Sequence, residues 1–285
     1  MECDACGSEE ASAKPRDAGL GAFGSRRILG MRVDATSYAR AAQAIAEMAQ
    51  AHGGVTCVAT VHMVMEACDD PSFQRIVNAS DLVTSDGMPL VWTLRARGLA
   101  DAQRVYGPDL VPEVCALAAT RGIPVGFYGG SPEVMARMTE RLAARFPGLR
   151  VAFAMAPPFR ALTPAEDEQV VAAIRESGAR ILFVGLGCPK QERWMAAHRE
   201  RLACAQVGVG AAFDFLAGTK RQAPRVVQRA GLEWLFRLAS EPRRLWRRYA
   251  RHNPRFAWRA LAETLRERRP RRGSSAPPPS SMKGS

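Results

Sequence analysis

The feature that most constrains this chain is a regular alternation of short, wholly apolar runs with longer helical segments. Residues 56–61, 81–83, 125–128, 150–154, 181–185 and 206–210 read as strands, and 63–77, 90–97, 112–121, 132–145, 165–177 and 191–201 as helices. Strands that are apolar on both sides need cover on both sides. The pattern therefore predicts an α/β fold, a Rossmann-like parallel sheet with helices on both faces. Pro157 and Pro158 fall in a loop, because proline has no amide to give to a helix or a ladder. Regular structure is expected from Ile28 onwards. Residues 1–26, aperiodic and rich in Gly, Ala, Ser and charge, read as a disordered leader, and 271–285 as a disordered Gly/Ser/Pro-rich tail.

An open parallel sheet binds ligands beyond the carboxyl ends of its strands, so the residues that follow each strand are the ones to weigh. Thr60 and His62 follow the first, Asp86 the second and Gly129–Gly130–Ser131 the third. Gly187, Pro189, Lys190, Gln191 and Glu192 lie in GLGCPKQE, and Gly210, Phe213 and Asp214 follow the last strand. The Gly129–Gly130 loop opens a helix with Pro132 in its first turn. Its outward amides are a usable phosphate seat, although an ordinary strand–helix turn explains it equally well. It is neither a GxGxxG nor a Walker A loop, so dinucleotide and P-loop functions lack their fingerprints.

Lys190 starts a helix, where a cation adds to the positive dipole end unless an anion sits nearby. Gln191 offers both donor and acceptor atoms to a sugar or base. Asp86, in SDGMP, is a natural general base if burial raises its pKa, though Asp-Gly is also a turn signal. His62 could share that role, but a lone histidine beside a strand is more often structural. Arg104 could stabilise a leaving diphosphate or simply pair with Asp101 or Asp109. No strand ends in an acidic DxD. Asp69–Asp70 and Glu166–Asp167–Glu168 fit helix-terminal electrostatics better than a metal site. Neither a metal nor a cofactor is expected, and a diphosphate would have to be met by Arg, Lys and helix amides.

The net charge of +12 is unevenly placed. Residues 219–272 hold 17 basic and 4 acidic side chains, whereas 1–218 hold 22 and 24. A nearly neutral body, 27–223, thus carries a cationic appendage, 224–270, of helical pattern. Arg243, Arg247 and Arg251 recur every four residues beside Arg244 and Arg248, and Trp246 and Trp258 lie among them. Leu245 and Tyr249 share another face, as do Trp258, Leu261 and Leu265. Arginine with tryptophan on an amphipathic helix suits an anionic membrane surface. No recognisable DNA- or RNA-binding motif accompanies it, so nucleic acid is not the expected partner. Seven cysteines, an odd number in apolar contexts, read as buried thiols, and Cys3 with Cys6 is a CxxC without a second pair. With no secretory signal pattern at the N-terminus and no spanning run, the expected place is cytoplasmic and peripheral on the inner membrane face.

The strings ATVHMVMEA, ASDLVTSDGMPLVW, RVYGPDL, GFYGGSPEV, FPGLR, ILFVGLGCPKQERW, GVGAAFDFLAGTKRQAP and GLEWLFRLASEPRR occur in this order across about residues 28–250. In order and spacing the set resembles the WecG/TagA/CpsF family of glycosyltransferases. The resemblance implies a Rossmann-like enzyme that transfers a sugar from a UDP-sugar, with inversion and without a metal. The implied acceptor is a polyprenyl-diphosphate-linked sugar at the cytoplasmic membrane face, in cell-surface glycan or exopolysaccharide synthesis. It also implies Asp86 as base, with Thr60, Arg104 and Gln191 at the family's other motif positions. Gly129, Gly130, Lys190, Gln191 and Asp214 would seat the donor, and Arg221 joins the substrate-binding set. Where the family motif reads T-x-N, this chain reads Thr60-Val61-His62, so the contact made by the Asn is altered. The appendage is expected to bind membrane and to complete the site. Two other readings fit the same strings: a non-catalytic nucleotide-sugar-binding protein, and a basic-tailed membrane adaptor. A homo-oligomer is compatible with all three.

Overall fold

The computed structural model describes residues 23–268. The described chain opens with an antiparallel hairpin, β1 (Ser25–Ile28) and β2 (Met31–Asp34), so regular structure begins inside the segment expected to be a leader. Residues 1–22 and 269–285, which include Cys3, Cys6 and the expected tail, lie outside the described residues. Helix α1 (Tyr38–Gln50) follows; the alternation read from the sequence did not include it or the hairpin.

The apolar runs then form β3 (Gly54–Ala59), β4 (Leu82–Ser85), β5 (Val125–Gly129), β6 (Val151–Met155), β7 (Ile181–Gly185) and β8 (Ala205–Gly208). These six pair in parallel in the order β4-β3-β8-β7-β5-β6, the expected Rossmann-like sheet. The helices between them are α2 (Val61–Asp69), α3 (Pro71–Asn78), α4 (Met88–Ala96), α5 (Gly107–Arg121), α6 (Pro132–Arg145), α7 (Pro164–Ser177) and α8 (Lys190–His198). After β8 come α9 (Ala212–Leu216), α10 (Arg225–Arg229), α11 (Glu233–Ser240) and α12 (Pro242–Arg268).

Two expected helices differ from those observed. The segment 63–77 is two helices, because Asp70 accepts from the amides of Ser72 (2.8 Å) and Phe73 (3.1 Å) and Pro71 starts a new first turn. Helix α5 begins at Gly107 rather than 112 and accommodates Pro112 within it.

Both faces of the sheet are covered, and the strands show why they read as continuously apolar. Along β7, Ile181 and Phe183 join a core with α1, α5 and α6, while Leu182 and Val184 join one with α2, α4 and α7. A period of two sends alternate side chains into two cores. Phe183 stacks on Phe127 of β5 with centroids 5.3 Å apart. Gly129 has a φ of +130°, and a Cβ there would stand 2.5 Å from the Gly185 carbonyl oxygen. Only glycine lets β5 and β7 end side by side.

Candidate active site

All six strands point the same way, so their carboxyl ends share one edge. There the chain after α4 folds back along β4. The Val105 amide donates to the Ser85 carbonyl at 2.8 Å, and the Ser85 hydroxyl donates to the Gln103 carbonyl at 2.9 Å. This fold-back sets Arg104 against Asp86, whose own amide donates to the Ala59 carbonyl of β3 at 2.8 Å. Arg104 Nε donates to the Asp86 carbonyl at 2.6 Å, and Nη2 lies 3.5 Å from Asp86 Oδ1. The guanidinium lies 4.2 Å from the Tyr106 ring centroid. Neither Asp101 nor Asp109 is its partner: Asp109 Oδ2 instead accepts from the Tyr38 hydroxyl at 3.4 Å.

The remaining contacts of Arg104 come from the appendage. Nη1 donates to Gln228 Oε1 at 3.2 Å, and Nη2 makes a short contact with Glu233 Oε2 on α11. Glu233 is buried, and Arg237, one turn further along, also acts on Asp86. Two carboxylates and two guanidiniums thus share a recessed cluster. Burial pushes the Asp86 carboxyl up to about 7; Arg104 pulls it down, Glu233 raises it and Arg237 lowers it. A carboxyl with that pKa is matched to taking up a proton near neutrality. Arg237 Nε is buried and makes no hydrogen bond among the described residues. Glu233 and Arg237 had no signal of their own in the sequence beyond their place in GLEWLFRLASEPRR.

Thr60 is the N-cap of α2, its hydroxyl accepting from the Met63 amide at 3.3 Å, which leaves its proton free to donate outward. Among the described residues His62, in the first turn of α2, makes its contacts with Glu66 and His252 and none with Asp86. Its ring lies 5.0 Å from that of His252 on α12 and its Nδ1 3.6 Å from Glu66 Oε1. Burial, with Arg248 and His252 nearby, pulls its pKa down to about 4.

The glycine loops meet across β5, β7 and β8, but several polar groups expected to face a ligand are turned inward. Gln191 is 3% exposed. Its Oε1 accepts from the amides of Gly187 (3.2 Å) and Gly210 (3.0 Å), and its Nε2 donates to Glu192 Oε1 at 2.7 Å. It therefore staples the loops after β7 and β8, and Glu192 beneath it is wholly buried with its pKa raised to about 7 by that burial. Pro189 follows a cis peptide bond in the same turn. Phe213 packs edge-on against Phe127 in the core rather than lining a surface. Asp214 pairs with Lys220 at 3.1 Å. Lys190 and Arg221 are exposed, and the Gly130 amide donates to the Gly185 carbonyl at 3.3 Å.

The appendage packs against the body and presents a mixed outer face. Leu245, His252, Phe256 and Ala260 of α12 are buried, whereas Trp246, Trp258, Leu261 and Leu265 are all more than half exposed. Arg243, Arg247 and Arg251 are exposed, and Arg247 lies over the Trp246 ring. Arg248, expected on the membrane face, turns inward towards His62, because it falls on the inner side of the helix next to Leu245. The side chain of Arg244 lies outside the described residues. Among the described residues no helix is long and apolar enough to cross a membrane.

In comparison with known protein families, residues 26–270 match the one described as Glycosyl transferase WecG/TagA/CpsF family.

Proposed function

Since the chain belongs to the WecG/TagA/CpsF glycosyltransferase family, we propose that it moves a sugar from a UDP-sugar to a polyprenyl-diphosphate-linked acceptor in cell-surface polysaccharide synthesis. The observation that carries this reading is the Asp86–Arg104 pair at the carboxyl edge of the sheet. Asp86 takes the proton of an acceptor hydroxyl. The oxygen attacks the anomeric carbon from the face opposite the nucleotide, the carbon–oxygen bond to the diphosphate breaks, and configuration inverts. Arg104 and Arg237 stand ready to meet the charge that develops on the departing diphosphate, as fixed cations in a recess do most effectively. The helix-start amides after Gly129–Gly130 and Gly187 add further positive character. Metal is not required by this scheme, because arginines supply the countercharge.

The outer face of α12, with Arg243, Arg247 and Arg251 beside Trp246 and Trp258, suits an anionic inner leaflet. That placement would bring a lipid-linked acceptor to the same edge as the site. The experiment that tests the function is a screen of UDP-sugars against a polyprenyl-diphosphate-linked acceptor, read by product mass. A product with an inverted anomeric centre supports it. Binding of UDP-sugars without turnover on any lipid-linked acceptor would refute it.

A further inference from the structure

A second cluster of reactive side chains lies where α12 docks on α2, and the transfer steps proposed above do not involve it. The docking is polar at its margin: Arg255 grips Asp69 through two contacts of 2.9 and 2.6 Å, and Arg259 Nη1 donates to Cys68 Sγ at 3.0 Å. Between these contacts and the cleft stand three side chains of ligand type. His62 and Glu66 lie one turn apart on α2, and His252 reaches them from α12.

Their candidate ligand atoms all lie within 4.8 Å of one another. His62 Nδ1 and His252 Nε2 are 3.6 and 3.7 Å from Glu66 Oε1. Those separations are too long for hydrogen bonds. Two ligand atoms each about 2.0–2.1 Å from a tetrahedral ion stand about 3.3–3.4 Å apart, so small side-chain rotations would close the set. His252 is only 5% exposed, and His62 Nδ1, the atom that faces Glu66, is buried without a hydrogen-bond partner among the described residues. Unpaired buried polar atoms are rare and costly, and they call for an explanation.

We propose that His62, Glu66 and His252 bind one divalent ion of the zinc type, which ties the C-terminal helix to the sheet body. Two imidazoles and one carboxylate favour zinc over magnesium or calcium, and three protein ligands leave a fourth position for water. Burial holds both imidazoles in the neutral, ligating form, with pKa values below the ordinary histidine range. The arginines nearby oppose a dication. Glu66 offsets them directly, and Arg251 and Arg255 are already engaged with Asp69, which leaves Arg248 as the opposing charge that acts on His62. The proposal does not depend on the sugar-transfer reading. It concerns how the appendage is held, and its ion takes no part in the proposed transfer.

The test uses the full-length protein, stripped with a chelator and titrated with Zn2+ by calorimetry and with Co2+ by visible absorption. The expected result is one equivalent of Zn2+ per chain, tetrahedral Co2+ bands, and a rise in Tm on adding Zn2+. H62Q, E66Q and H252Q should each weaken Zn2+ binding at least about tenfold, while R255Q, which loosens the docking without removing a ligand, should keep the single equivalent. Unchanged affinity in the H62Q/H252Q double variant overturns the proposal, wherever the ion then sits, Cys3 and Cys6 included. If a ligand variant fails to fold, the wild-type Co2+ spectrum decides alone. Tetrahedral bands without thiolate-to-cobalt charge transfer support the site, and thiolate charge transfer, absorption of an octahedral ion only, or no saturable binding overturns it.

Discussion

Arg104 lies between two carboxylates from distant parts of the chain, Asp86 after β4 and Glu233 on α11, and touches both through the same nitrogen, Nη2. The appendage is therefore part of the polar cluster and not only a surface attachment. Glu233 raises the Asp86 pKa. Glu233→Gln should shift the acidic limb of the kcat/KM profile towards lower pH by roughly half to one pH unit. An unmoved limb would mean that Glu233 and Asp86 do not communicate.

Asp86→Asn should lower transfer by about 10²- to 10⁴-fold while leaving UDP binding intact. In the wild type, kcat/KM should rise with pH through about 7, because the base must be ionised. Pre-steady-state product formation across that range, alongside UDP calorimetry on the variant, checks both statements.

Gln191 binds two loop amides and a buried carboxyl, so its loss would leave both amides without this acceptor and take one donor from the carboxyl. Gln191→Ala should cost about 2–4 kcal/mol of stability. Thermal unfolding with no substrate present reads this directly. A residue whose carboxamide only contacted substrate would leave Tm unchanged.

Glu192 and Asp86 both keep their protons to higher pH in the folded chain than when unfolded, with folded values near 7 against ordinary values of 4.5 and 3.8. The folded state thus binds more protons over this interval, and the stability these groups contribute is full at low pH and lost as pH rises through about 7. Glu192→Gln removes one such group. Its Tm relative to wild type should become more favourable between pH 5.5 and pH 8, and a difference that shrinks over that span would contradict the assigned burial effect.

On the outer face of α12, Trp246→Ser with Trp258→Ser should abolish sedimentation with anionic vesicles and leave Tm close to wild type, since both rings are more than half exposed. Removing the whole helix is a poorer test, because Leu245, Phe256 and Ala260 are buried against the body.

Much of the sheet was legible because buried strands leave a plain mark. ILFVG at 181–185 and PEVMARMTERLAAR at 132–145 fall where the pattern put them. The hairpin was not, because β1 is exposed along most of its length and carries two arginines, so no apolar run announces it. The site was legible at Asp86, since a strand end and an Asp-Gly turn are local signals. Its partners were less so. Arg104 looked as ready to pair with Asp101 or Asp109, and only the fold-back along β4 decides against them. Gln191 illustrates the converse: the same carboxamide serves a ligand or a loop, and the choice depends on Gly210, nineteen residues away. Arg248 read as one of a cationic stripe because spacing gives the faces of a helix but not which face is covered.

The position of β8 bears on how the molecule comes into being. It is the last strand among the described residues, yet it lies in the middle of the sheet, with Gly54 of β3 and Ile181 of β7 both paired to Ala205. Until residue 208 has emerged from the ribosome, β3 and β7 each keep an open, apolar edge able to pair with another chain. Assembly must wait for a contact between residues far apart in sequence, the kind that slows folding and lengthens exposure to aggregation. The strands of both half-sheets precede it in the chain, and this four-residue strand joins them.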